Sequence, residues 1–330
     1  MVKFKELWLR RLNYDLSRIP VFKYVYRWLR GFLMRQEARM NWKLHDWAMD
    51  GLDVIKDIHM HSDVEFRFSK DSCYVKAVDG IEYEFDVWPG TTACTDALRG
   101  SEIINRTEFA LILKNIRPNS VVVDVGASIG ELALNMALNV PGIRIFCFEP
   151  NNSTYSILKR NVKRNGLVDK IHCYRIALAD RVGNFPITPT YNGGHLILAD
   201  SGKPLVRTRP TSQEVVETTT LDNFLQGKNL AVSLIKADVE GAELLLLKGA
   251  KQCLVSNKPH LLLEIFEEGT NKFGYSPKDI FDYLKDLGYE YVLCTKDKLV
   301  ARPDKISLDG QLKMAYNFFF YHKTSPFLLP

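Results

Sequence analysis

From Val121 onward the chain alternates between two hydrophobic periods. Short, nearly continuous apolar runs rich in Val, Ile, Leu and Phe are separated by stretches whose apolar positions recur every three or four residues. The first kind is the signature of strands buried on both faces, the second of amphipathic helices. This pattern predicts strands at 121–125, 143–148, 170–176, 232–238, 259–265 and 289–294, and helices at 129–139, 153–165, 242–250 and 277–287. A final apolar run, Ala315–Tyr321, reads as a last strand. Strands that alternate with helices build βαβ units, so the expected class is α/β with a mostly parallel sheet.

Upstream the period changes. VEFRFSK, SCYVKAV and IEYEFDVW alternate within residues 64–88, and Asp79-Gly80 is a two-residue turn signal, so a β-hairpin is expected there. A helix around Ser101–Asn115 follows and is stopped by Pro118-Asn119. Further upstream, Val21, Tyr24, Val25, Trp28, Leu29, Phe32 and Leu33 fall at helical spacing with Lys23, Arg27 and Arg30 on the other side. Such a helix fits an anionic membrane surface or a partner protein, but an aromatic stripe at this spacing fits better a helix packed on the protein's own core. The expected division is a basic helical arm over 1–60, a hairpin subdomain over 61–100 and a main domain over 101–330. Residues 181–216 are rich in Gly, Pro and Thr without clear periodicity, which is the pattern of a lid or binding loop.

Charge sharpens this division. Residues 1–45 carry eleven Lys or Arg against three Asp or Glu, whereas the remainder carries 33 against 36. The net charge of +5 is therefore a property of the arm, and no nucleic-acid groove is expected on the main domain. No apolar run is long enough for a spanning helix, and no secretory h-region is visible. The six cysteines are scattered without a CxxC pair, which fits reduced thiols of a cytoplasmic protein better than a disulfide frame or zinc site. The sequons at Asn105 and Asn152 are accordingly read as chance. Cytoplasmic localisation is expected, with peripheral membrane or protein contact through residues 1–45 as an added possibility.

The chemistry concentrates in VVVDVGASIGELAL, Val121 to Leu134. A strand that ends in an acid and a glycine turn and then opens a helix forms a cofactor crevice in an open α/β sheet. Glu149 ends the next strand, where a carboxylate can accept both hydroxyls of a ribose. A nicotinamide dinucleotide would use the same acid. The turn lacks the third glycine of GxGxxG, however, and Asp124 would repel a pyrophosphate while attracting an ammonium group. That balance favours S-adenosylmethionine as cofactor. A later strand reads SLIKADVEGAELLLLKGA and places Lys236, Asp238 and Glu240 at a carboxyl end, and HLLLEIFEE places Glu264 at another. Charges embedded in apolar runs are costly without partners or a task. Acids against a helix dipole would explain Glu240 and Glu243 structurally.

The ordered set VVVDVGASIG, FCFEPNNSTYSILKRNVKRNG, ALAD (Ala177–Asp180), TTTLDNF (Thr218–Phe224), LIKADVEGAELLLLKGA and LLLEIF resembles the FkbM family of class I S-adenosylmethionine-dependent methyltransferases, a group that mostly methylates hydroxyl oxygens. The resemblance covers roughly residues 107–266 and none of residues 1–100. It implies a Rossmann-like sheet with an antiparallel last strand. It implies that Asp124, Gly126, Ser128 and Gly130 form the loop at the donor's methionine end. By the same likeness Glu149, with Pro150 and Asn151, meets the ribose; Ala177, Leu178 and Asp180 lie near the adenine; and Asp238 and Glu240 form the substrate-side rim. Lys236 and Glu264 join that rim by position. Ser128 stands where relatives often carry Asn.

Transfer to an alcohol needs a base to remove its proton. His195, in the glycine-flanked segment YNGGHLIL, is the first candidate. Asp238 is the rival, either as the base or as ligand to a divalent ion; no HxH, HExxH or CxxC spacing marks a tight metal site. His172 and His260 fall at strand starts, away from the crevice. The expected acceptor is a hydroxyl of a small molecule, glycan, lipid or natural product. Two other classes compete: an NAD-linked oxidoreductase or epimerase, and a non-catalytic binding protein on the same fold.

Overall fold

The computed structural model describes residues 66–68, 73–75, 106–190, 193–196, 214–295, 299–300 and 307–329. The basic arm, the Asp79-Gly80 turn and residues 197–213 of the Gly/Pro-rich segment lie outside the described residues. Strands β1 (Phe66–Phe68) and β2 (Cys73–Val75) pair antiparallel across residues 69–72, a pairing upstream of the turn expected at Asp79-Gly80.

The remaining elements follow in order. Helix α1 (Arg106–Asn115) leads to β3 (Val121–Val125), α2 (Glu131–Asn139), β4 (Arg144–Phe148), α3 (Asn152–Arg164) and β5 (Ile171–Tyr174). A short strand β6 (Ala177–Leu178) precedes β7 (Gly183–Thr190), β8 (Gly193–Leu196) and β9 (Glu214–Thr219). The chain then runs through α4 (Leu221–Leu225), β10 (Val232–Ala237), α5 (Glu243–Gly249), α6 (Lys251–Asn257), β11 (His260–Glu264), α7 (Glu267–Lys272) and α8 (Pro277–Asp286). It finishes with β12 (Tyr289–Cys294), β13 (Leu299–Val300), α9 (Leu308–Met314) and β14 (Asn317–His322).

Eight strands form the central sheet in the order β13-β12-β14-β11-β10-β3-β4-β5. The five from β5 to β11 are parallel, and β14 inserts antiparallel between β11 and β12. This is the expected Rossmann-like sheet of a class I methyltransferase. Every residue of β3 is buried, because helices cover both faces. Val123, Val125, Ile235, Ala237, Leu261, Leu263, Phe318 and Phe320 share one core cluster across the middle of the sheet.

The strand order decides where a ligand crevice forms. The chain lays β4 and β5 on one side of β3, then returns to lay β10 and β11 on the other. A crevice opens outside the carboxyl ends of strands at such a switch point, here between β3 and β10.

The expectation that residues 181–216 carry no regular structure is corrected. Strands β6, β9, β7 and β8 form a second, four-stranded sheet. Its interior is small: Ala177, Phe185 and Val216 are buried together. Pro186, Pro189 and the Gly193-Gly194 pair lower local strand propensity, and pairing of β7 with β9 at Pro186 and with β8 at Pro189 overrides it. The helix expected over 242–250 ends at Gly249, and a separate helix, α6, follows at once. Among the described residues no helix is long and apolar enough to cross a membrane.

Candidate functional site at the β3–β10 switch point

The turn after β3 is held from both sides. Gly126 takes φ +70°, and a Cβ there would fall on the carbonyl oxygen of Asp238. The turn therefore lies directly against the exit of β10, which only glycine permits. Gly126 and Ala127 donate their N–H groups to the Phe148 carbonyl at 2.9 and 3.1 Å, and the Asp238 N–H donates to Val125 at 3.1 Å. Ser128 takes a left-handed conformation at φ +52° and donates its N–H to Glu149 Oε2 at 3.1 Å.

Glu149 sits just past β4 and is 6% exposed. Its Oε1 accepts the Asn151 N–H at 2.9 Å. Burial pushes its carboxyl up to about 7, and the backbone donors of Asn151 and Ser128 and the Lys236 charge act against that rise. Each oxygen keeps lone-pair capacity beyond its one N–H bond, so a hydroxyl pair can still be accepted.

Asp124 is 1% exposed, and its Oδ1 has no hydrogen-bond partner. The nearest cation is Lys236, whose Nζ lies 3.6 Å from that oxygen. The two residues are register partners across β3 and β10, so the sheet itself sets their proximity. The same Nζ lies 3.7 Å from Asp238 Oδ2 and donates to the Gly126 carbonyl at 3.0 Å. Burial raises the Asp124 carboxyl above the usual carboxylate range, with Lys236 opposing. Glu131, at the first position of α2, is pushed up to about 7, again by burial first.

Toward β11 the acids continue. Glu264 ends that strand; burial raises its carboxyl to about 9, and the Asp238 charge adds to the rise. Glu264 also borders an open cavity of about 730 Å³, whose other acidic residues are Glu240, Glu267, Glu268 and Asp309. Lys313 is the cation of its wall, and Phe266, Leu312 and Tyr316 supply apolar surface. The Phe266 and Tyr316 rings meet edge-on at 6.0 Å.

The family model for the methyltransferase FkbM domain matches residues 124–291, half of the chain. The chain belongs to the FkbM methyltransferase family. The family segment thus begins at Asp124 and encloses the turn, Glu149, the Lys236 cluster and Glu264. Methyltransferase sdnD of Sordaria araneosa is 27% identical over 228 residues, which is 61% of this chain and 85% of that protein. The 2-O-methyltransferase NoeI of Sinorhizobium fredii is 26% identical over 153 residues, 43% of this chain and 62% of its own length. A crystal structure of methyltransferase FkbM from Methylobacillus flagellatus aligns over 69% of this chain and 52% of its own, with 18% identity and a TM-score of 0.41.

Several sequence candidates of this FkbM-family chain take structural tasks. The Asn151 side chain caps α3, accepting from the N–H groups of Ser153 and Thr154 at 2.9 and 3.1 Å. Pro150 is half-buried between it and Glu149. Ala177 and Leu178 form β6 and are buried, and Asp180 follows with a buried Oδ1 that lacks a hydrogen-bond partner. His195 lies on β8, paired with Thr188 in the second sheet, and the structure describes its backbone only. His172 packs its ring 5.3 Å from Phe146, and His260 packs 5.4 Å from Phe319. Among the described residues no group of three or more His, Cys, Asp or Glu is arranged to hold a metal ion.

Other residues carry more than their sequence signal suggested. Glu243 is fully buried, and its Oε1 accepts the N–H groups of Val239 and Gly241 at 3.2 and 3.3 Å. It thereby shapes the ADVEG turn, in which Glu240 takes φ +56°. Tyr275 clamps the same turn: its hydroxyl bonds the Gly241 carbonyl and accepts the Leu244 N–H at 3.1 Å. Burial raises Glu240 above the usual carboxylate range, with Asp238 adding to the rise. A helix-capping acid at the start of an apolar run was the available signal for Glu243; nothing local marks Tyr275.

Proposed function

We propose that this chain transfers a methyl group from S-adenosylmethionine to a hydroxyl oxygen of its acceptor. One observation carries the reading: the buried Asp124 Oδ1 accepts no hydrogen bond, has Lys236 as an ion-pair partner 3.6 Å away, and stands beside a glycine turn at the sheet's switch point. A buried carboxylate oxygen without a donor is an incomplete site, which a cationic ligand completes. A dinucleotide would bring a pyrophosphate to the same place, toward Asp124 rather than toward free backbone donors. The residues present fit the methyl donor: Asp124 and the turn through Gly126, Ser128 and Gly130 would hold its methionine end. Glu149 would take the ribose hydroxyls, and Ala177, Leu178 and Asp180 would border the adenine. S-adenosylmethionine, when bound, supplies a methyl group on a positively charged sulfur, an activated leaving group.

The chain's own task is to orient an acceptor and remove its proton. Glu264 keeps a proton past neutrality in the field of the Asp238 carboxylate. Asp238, at the end of β10, is then the base. The side chain of Asp238 is 43% exposed, so an acceptor can reach it. His195 is the competing base, and Asp238→Asn against His195→Ala separates the two. O-methylation is supported by the name of NoeI, a 2-O-methyltransferase.

The cavity beyond Glu264 is the proposed acceptor side. Its wall sets five carboxyls against one ammonium, which disfavours an acceptor bearing negative charge. A neutral polyol or an amine-bearing acceptor from the glycan, lipid or natural-product classes fits it. The basic arm, residues 1–45, is proposed to deliver the acceptor or attach the protein to a surface. A tritiated methyl-transfer assay on extracts of the native host, with mass spectrometry of the labelled product, tests this reading. Label on a hydroxyl oxygen of an uncharged or cationic product is expected; label confined to nitrogen or to an acidic product would overturn it.

A further inference from the structure

Lys236 stands where the donor side and the acceptor side of the crevice meet. It is set by register opposite Asp124, and its side chain is 16% exposed. Its Nζ donates to the Gly126 carbonyl at 3.0 Å, fixing the donor turn. The same atom lies 3.6 Å from Asp124 on β3 and 3.7 Å from Asp238 at the end of β10. Glu131 on α2 and Glu264 on β11 also act on it, so four acids surround one ammonium. Glu149, beyond β4, feels its charge as well. One ammonium cannot fully compensate two carboxylates at once, and Asp124 Oδ1 is left with an ion pair at 3.6 Å and no hydrogen bond.

We propose that Lys236 is a positioning residue that couples the two sides: a cationic donor end at Asp124 frees Lys236 to pair with Asp238, which it then holds as the carboxylate that orients the acceptor. The proposal rests on the donor reading of Asp124. The coupling is reciprocal, so the acceptor-side acid must also help the donor bind. With Asp238 present, Lys236 is drawn off Asp124 and the donor's ammonium competes for Asp124 at less cost. With Asp238 neutralised, Lys236 closes on Asp124 and the donor binds less well.

The test is a double-mutant cycle on the affinity of S-adenosylhomocysteine, measured by calorimetry on the full chain at pH 8. The chains are wild type, Lys236→Met, Asp238→Asn, the double variant and Lys236→Arg. Asp238→Asn is expected to weaken binding about fivefold when Lys236 is present and to change little when it is absent. A direct field effect of Asp238 on the ligand would persist in both backgrounds. Lys236→Met should also move the pH midpoint of binding upward by about one unit, and Lys236→Arg should keep the wild-type midpoint. A residue that served only packing would weaken binding equally at every pH.

Additive effects of the two substitutions would overturn the coupling. So would unchanged affinity in Asp238→Asn alone, a result that holds even if Lys236→Met does not fold. Wild-type protein that binds no S-adenosylhomocysteine would overturn the donor reading itself, and the coupling with it. Binding that is intact in wild type but uncoupled in the cycle removes the coupling alone.

Discussion

Asp124 and Glu149 share a physical predicament. Both are carboxyls that the sheet buries before any ligand arrives, and both are pushed upward by that burial. Glu149 rises to about 7, so near neutrality it exchanges between an acid and a carboxylate. A ribose hydroxyl pair is accepted by the carboxylate. Affinity for S-adenosylhomocysteine should therefore fall below pH 7, approaching tenfold per pH unit on the acid limb. Titrations at pH 8, 7 and 6 check this; affinity that is flat or rises toward pH 6 contradicts it. Glu149→Gln should remove the pH dependence together with most of the affinity. Gly126→Ala should disrupt the turn outright, since its Cβ would fall on the Asp238 carbonyl. Loss of donor binding with a lowered melting temperature is expected for that variant.

The residue types of the donor loop were legible because an acid, a glycine turn and a second acid fall at fixed spacing along one βαβ unit. Lys236 was legible as a charge on the substrate-side rim, not as a partner of the donor turn. Its partner Asp124 is 112 positions away, and only the pairing of β10 with β3 reveals the contact. Asn151 shows the opposite case. Beside a ribose acid it was expected as a donor-side residue, and its Oδ1 also caps α3 by accepting the N–H groups of Ser153 and Thr154.

At the scale of elements, hydrophobic period set the strands well because the parallel ones are buried on both faces. β3, β10 and β11 are read almost to the residue. The second sheet escaped because prolines and glycines interrupt β7 and β8, and tertiary pairing supplies what propensity lacks. The junction between β10 and α5 matters most for the site. Glu243 and Tyr275 fix its geometry from inside the fold. Tyr275→Phe keeps the ring and removes two hydrogen bonds. It should cost on the order of 1–3 kcal/mol of stability in chemical denaturation. Leu263→Ala, in the fully buried middle of β11, should cost about 2–5 kcal/mol and leave the donor loop's binding residues in place. Stability loss with unchanged donor affinity is the expected outcome there.

For the whole molecule, burial of acids makes the donor-free fold sensitive to pH. Glu131, Glu149 and Glu243 are each raised from 4.5 to about 7. For an acid raised on folding, the native state binds the extra proton between those two values. The stability it contributes is present below about 4.5 and is lost as pH rises through about 7. The melting temperature of the donor-free protein should accordingly fall between about pH 5 and pH 8, from these groups. An ammonium held at Asp124 and ribose hydroxyls held at Glu149 favour the charged forms of these acids, so S-adenosylhomocysteine should stabilise most at the upper end of that range. Thermal melts across pH with and without the ligand check both statements. Deletion of residues 1–60 tests the arm: donor affinity should persist, while acceptor turnover or membrane fractionation should fall.

The central claim is that the crevice between β3 and β10 holds S-adenosylmethionine by Asp124 and Glu149. Isothermal titration of the full chain at pH 8 with S-adenosylhomocysteine and, separately, with NADH tests it most directly. One site for S-adenosylhomocysteine is expected, with no heat from NADH, and with binding abolished in both Asp124→Ala and Glu149→Ala. Preference for NADH, or normal S-adenosylhomocysteine binding in either variant, would contradict it.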